Sequence, residues 1–98
     1  MLEKDVKDYD EMNEFLRVEK ELFFTNLIIC IQTAWESGEG IAPIAKFNIT
    51  EAGMIKHISI NSDDWYESLH LALYHFEEIE NYEYCKEINT LIAKMYGE

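Results

Sequence analysis

IAPIAKFNITEAGMIKHISI, residues 41–60, decides the fold, because there the chain leaves helical spacing for alternation and then doubles back. Ala45, Phe47 and Ile49 alternate with Lys46 and Asn48, and Ile58 and Ile60 flank Ser59, which is the two-residue period of a half-buried strand. Between them Thr50-Glu51-Ala52-Gly53 reads as a turn, with Gly53 able to take the left-handed conformation that a four-residue loop requires. A β-hairpin is therefore expected. Pro43 lacks an N–H and belongs near the start of an edge strand. Two strands are marginal in water, so the hairpin must lie against helices or join another copy's sheet edge to edge.

Upstream, from about Asp8 to Ser37, Met12, Phe15, Leu16, Leu22, Phe23, Leu27, Cys30, Ile31, Ala34 and Trp35 recur mostly at three and four residues, predicting one long helix. Asp8 and Glu11 resemble a capping box, and Gly38 and Gly40 supply the stop. Phe23, Phe24, Leu27, Ile28, Ile29, Cys30 and Ile31 cover almost the whole circumference of that helix; a strand through Phe23–Ile31 is the rival reading. A segment apolar all round must be covered on all sides. Either the remaining residues wrap it, or Phe23, Phe24, Leu27, Ile28 and Ile31 meet their counterparts in a homodimer.

Downstream, Asn61-Ser62-Asp63-Asp64 is expected to cap a second helix, with its acids at the positive end of the dipole. Trp65, Leu69, Ala72, Leu73, Phe76 and Ile79 form one stripe; after a break near Glu80-Asn81, Tyr82, Cys85, Ile88, Leu91, Ile92 and Met95 form the matching one. An antiparallel helical hairpin follows. Its junction, FEEIENYEYCKEI, resembles the helix-to-helix junctions of tetratricopeptide-like pairs and of short helical hairpins in repair and adaptor proteins, which implies packing geometry only, since the Trp, Gly, Ala and Pro pattern of the repeat is absent. The expectation is one small α+β domain over 1–98, ordered α-β-β-α-α, with the long first helix central, the hairpin on one side and the helical pair on the other.

Charge narrows the function classes. The chain of 98 residues carries 20 acids and 8 bases, a net charge of −12, and the acid is segregated: residues 41–60 hold Glu51 alone against Lys46 and Lys56. Such a surface repels nucleic acid and anionic lipid and attracts basic protein surfaces, including those built for phosphates. The hydrophobic content of 48% with one Pro argues for a folded core. The charged first twenty residues lack the apolar stretch of a signal peptide, and Leu27–Ile31 is too short for a membrane span, so a soluble, cytoplasmic protein is expected. Cys30 and Cys85 read as free thiols.

Chemistry-bearing patterns are thin. Glu67-x-x-His70 puts carboxylate and imidazole on one helix face, but a di-iron bundle needs a second copy of that motif and two more carboxylates. His70 and His75 are five apart and point to different faces. His57 and Ser59 share a strand face without a nucleophile elbow, and Gly38-x-Gly40 is a helix stop, not a phosphate loop. No catalytic centre, metal or cofactor is expected. Asp63, Asp64, Glu67, Glu77, Glu78, Glu80, Glu83 and Glu87 instead project from the helical hairpin, together with Tyr66, Tyr74, Tyr82, Tyr84 and Tyr96, as an acidic contact face. The expected function is a non-enzymatic interaction module, a small inhibitor or adaptor of the phage or mobile-element type that binds a basic surface of a larger protein. The alternative is a self-assembling homodimer, structural or chaperone-like.

Overall fold

A computed structural model describes residues 1–97. The order is β1 (Leu2–Val6), α1 (Tyr9–Val18), α2 (Lys20–Glu36), β2 (Ile41–Ile49), β3 (Met54–Asn61), a single 3-10 turn at Ser62–Asp64, α3 (Trp65–Glu78) and α4 (Tyr82–Tyr96). The protein is α+β, but as β-α-α-β-β-α-α, and the expected α-β-β-α-α order with one long N-terminal helix is corrected twice.

The first correction is β1. It pairs in parallel with β2, Leu2 beside Ala45 through Val6 beside Ile49, so β2 is the central strand and not an edge. Its apolar alternation is broken because Lys4 stands between Leu2 and Val6, and that ammonium instead lies 5.4 Å from the centroid of the Phe15 ring. The hairpin turn captures the exit of β1: the Val6 carbonyl accepts both the N–H of Thr50 and its hydroxyl, at 2.9 and 3.3 Å.

The second is the break at Glu19 (φ −96°, ψ 46°), which separates α1 from α2 although the hydrogen bonds run through it, from the Glu19 N–H to Phe15 and from the Phe23 N–H to Glu19. A straight helix from Tyr9 to Glu36 would be about 42 Å long, against about 30 Å for a nine-residue strand. The break lets α1 set Phe15 edge-on to Phe47, centroids 5.9 Å apart, while α2 packs on β2 and against α3 and α4. The six-residue gap from Leu16 to Leu22 in the apolar stripe is its trace in the sequence. The Asp8 carboxylate caps α1 through the Glu11 N–H at 2.9 Å, and Gly38 leaves α2 with φ +73°, both as expected.

The hairpin is as expected, with Gly53 at φ +60°, and it holds one irregularity on which the core depends. Pro43 pairs with Ser59 and Ala45 with Ile58, so Ile44 is an extra residue, a β-bulge. The bulge shifts the alternation by one. Ala42 and Ile44 before it, and Ala45, Phe47 and Ile49 after it, therefore all face the helices and are buried. A bulge leaves backbone unpaired; the Asn26 amide on α2 donates to the Ile44 carbonyl at 2.6 Å. Pro43 lies beyond the stretch that β1 reaches, since β1 pairs only from Ala45 onward, so a central strand tolerates it.

The helical pair needs smaller corrections. No side chain of Asn61–Asp64 caps α3; the chain enters it through the 3-10 turn. Ile79 and Tyr82, expected inside the stripes, are exposed, whereas Trp65, Leu69, Ala72, Leu73 and Phe76 and their partners Cys85, Ile88, Leu91 and Ile92 are buried. Asn81 caps α4 through the Tyr84 N–H at 3.2 Å, and Glu80 turns the corner with φ +59°. The buried side chains form a single cluster, both thiols are free and buried, and the Cα envelope of 45 × 32 × 16 Å is a slab.

Two substitutions test these joints by thermal and denaturant unfolding. Asn26→Ala leaves the bulge carbonyl unpaired and is expected to cost about 1–3 kcal/mol. Glu80→Gly relieves a left-handed non-glycine residue and is expected to stabilise by about 0.5–1 kcal/mol.

Candidate partner-binding surface

The eight acids do not form one patch. Asp63, Asp64 and Glu67 stand at the start of α3, and Glu77 and Glu78 at its end, about 20 Å away along a 14-residue helix. Glu80 occupies the turn; Glu83 and Glu87 lie one helical turn apart on α4. All eight are exposed, and none forms an ion pair among the described residues, where the three salt bridges are Lys7–Glu51, Arg17–Glu14 and Lys46–Glu3.

The two ends differ in what local physics asks of them. Acids at the start of α3 meet the positive end of the helix dipole. Glu77 and Glu78 sit in the last turn, where the dipole disfavours negative charge, and Glu80 adopts a backbone conformation that L-residues avoid. Local stability explains the first group and not the second.

The second group also has apolar company. Glu77 and Glu78 line an open groove of about 530 Å³ with Tyr74, Tyr82, Cys85 and Asn89. Tyr74 and Tyr82 are the most exposed aromatic residues, each 64% exposed, and Leu71, one turn before Tyr74 on α3, is 57% exposed. Glu78, one turn on, holds the Tyr74 phenol above its ordinary value of 10, first as hydrogen-bond acceptor and then through its charge. Burial, with the Glu77 charge behind it, pushes the Cys85 thiol up, away from the thiolate that a nucleophile needs.

The other tyrosines belong to the framework. Tyr84 packs against Phe76 with centroids 4.5 Å apart, and Tyr66 meets Tyr96 edge-on at 5.1 Å. Glu83 and Glu87 face away from the tyrosine groove, onto a second groove of about 710 Å³ between α2 and α4 whose lining includes Ile28, Ile88 and Leu91.

The residues read from the sequence as a self-association face are mostly covered by the chain itself. Leu27, Ile28 and Ile31 are buried, and Phe23 and Phe24 are half-buried, Phe24 stacked on His75 at 5.1 Å. Ile29, which that set omits, is 55% exposed. His70 packs against Tyr66 at 4.5 Å beside an exposed Glu67, and the described residues contain no group of three or more His, Cys, Asp or Glu able to hold a metal ion. No helix among them is long and apolar enough to cross a membrane.

Reading the sequence for acid and tyrosine reached Tyr74, Tyr82, Glu77 and Glu78 but missed Leu71. Its signal was present: Glu67, Leu71, Tyr74 and Glu78 recur at three and four residues, off the buried stripe of α3.

Glu78→Gln removes the carboxylate charge and leaves only a neutral amide oxygen to accept from the phenol. Tyr74 is then expected to ionise at lower pH, closer to 10, in an ultraviolet titration that reads tyrosinate; an unchanged midpoint would separate Tyr74 from Glu78 in solution.

Comparison of the chain with protein-family models, characterised proteins and solved structures finds no match.

Proposed function

We propose that the protein is a non-enzymatic interaction module, a small acidic inhibitor or adaptor of the kind that phage and mobile elements encode, and that it binds a basic surface of a larger protein. The observation that carries this reading is the coincidence at the α3–α4 turn of Glu77, Glu78 and Glu80, which local stability disfavours, with Tyr74, Tyr82 and Leu71, which the fold leaves exposed. Interfaces draw their anchoring energy from a few aromatic and apolar side chains and their steering from surrounding charge. Tyrosine is suited to the first task, since it presents a large amphipathic surface with few torsions to immobilise.

The mechanism in this reading is occupancy. Carboxylates at the tip of a helical hairpin enter a groove whose lysines or arginines ordinarily hold phosphates, while Tyr74 and Tyr82 pack against its wall. Association is accelerated by the field of the whole chain, and salt weakens it, because charges more than a Debye length of about 8–10 Å apart no longer sense one another.

The test replaces Glu77, Glu78, Glu80 and Glu83 together by Gln and, separately, Tyr74 and Tyr82 by Ala. Both variants are expected to fold, because all six side chains are exposed. Partners are captured from source-cell extract in parallel on wild type and variants, at low and high salt. Loss of the same basic protein from both variants, and from wild type in high salt, is the expected result; retention by the Gln variant at high salt removes the acidic face from the account.

A further inference from the structure

The sheet has two edges, and they are treated differently. β1 is five residues long, three of them the charged Glu3, Lys4 and Asp5, which is how proteins guard an edge against pairing with another chain. β3 is eight residues long, MIKHISIN, with a single Lys and no acid, and no further strand pairs with it among the described residues. Met54 and Ile55 on it are about half exposed. At its far end the Ile60 carbonyl is taken by the Trp65 indole N–H at 2.9 Å, so the open backbone runs from Met54 to Ser59.

Charge selects what can lie there. β1 and each of the four α-helices carry at least two carboxylates, so two copies of a chain with net charge −12 repel wherever these meet. β3 is the one acid-free element on the perimeter of the sheet. A strand suited to this edge must be uncharged enough to approach, β-branched enough to pack, and itself unpaired; β3 of a second copy meets all three conditions.

We propose that β3 pairs antiparallel with β3 of a second copy across a two-fold axis, joining the two three-stranded sheets into one of six strands. A register centred on His57 lies within the open stretch, sets Lys56 opposite Ile58 of the other copy and leaves neither lysine directly facing the other. The contact is isologous and uses up the only unguarded edge, so growth stops at two copies: the outer edges of the dimer are the charged β1 strands. This does not rest on the acidic face, and each can fail while the other stands.

The test is the solution mass by light scattering over a concentration series, at low and high salt, with hydrogen exchange of the β3 amides. Expected are twice the 11.6 kDa of one chain at both salts, and slow exchange at every β3 amide from Ile55 to Ser59, becoming fast at alternate positions on dilution. Ile55→Lys with Ser59→Lys adds charge on the open face of β3, where both residues are exposed and the fold is expected to tolerate it; this variant should have the mass of one chain with an unchanged circular dichroism spectrum. A single-chain mass for wild type throughout, a dimer in which alternate β3 amides stay fast, or a lysine variant that still dimerises each overturns the proposal.

Discussion

The hydrogen bond from the Asn26 amide to the Ile44 carbonyl is the constraint on which the rest of the core depends. Strict alternation along β2 would turn either Ala42 and Ile44 or Ala45, Phe47 and Ile49 away from the helices, because a one-residue shift moves every side chain to the other face. The bulge lets both groups face inward, and it does so at the cost of a backbone carbonyl without a partner in the sheet. Asn26 reaches that carbonyl only if α2 lies directly over the bulge, so the same contact sets where the helix sits. With α2 placed against β2, α3 and α4, Leu27, Ile28 and Ile31 are buried. A helix apolar nearly all round thus becomes the middle of one chain, with only Ile29 and Leu22 left at the surface.

What the sequence made legible follows from how many residues repeat a signal. The hairpin, α3 and α4 were readable because several apolar side chains on each share one period and each joint has its own punctuation: Gly53 at one turn, Glu80-Asn81 at the other. β1 was not, since five residues with three charges show no alternation; the strand exists because β2 offers a parallel partner and because Phe15 takes up Lys4. The break at Glu19 has no Gly or Pro to announce it. Its cause is tertiary, a mismatch between the length of a continuous helix and the sheet beneath it, and only the widened spacing from Leu16 to Leu22 hinted at it. The central position of β2 was hidden for the same reason as β1, because an edge strand acquires a second neighbour only when a distant segment arrives.

The site was legible in composition and not in arrangement. Counting acids from Asp63 to Glu87 gives eight carboxylates, but only the rise along α3 separates Asp63, Asp64 and Glu67 from Glu77 and Glu78, and only the packing of α4 against α2 turns Glu83 and Glu87 toward a different groove. Tyrosine count was equally blunt: of five tyrosines in this half, Tyr84 belongs to the core wall, Tyr66 and Tyr96 brace one another, and Tyr74 and Tyr82 alone are largely free of the fold.

That sorting bears on how acid on a small protein should be weighed. Strands lie about 4.8 Å apart, so like charges opposite each other on a sheet cost stability; the outer face of a helix is solvated and tolerates them. Part of the segregation of charge in this chain is therefore what a three-stranded sheet beside four helices requires, with no partner involved. The acids at the start of α3 fall in the same class, because a helix N-terminus favours them. Glu77, Glu78 and Glu80 do not. They occupy the C-terminal turn of α3 and a left-handed corner, positions where a lysine, an asparagine or a glycine would fit the backbone better. The local backbone gains nothing from carboxylates there, and the nearest exposed tyrosines, Tyr74 and Tyr82, stand beside Glu77 and Glu78 in one groove. In the proposed function, a partner at this turn answers to three carboxylates in unfavourable places and not to a net charge of −12.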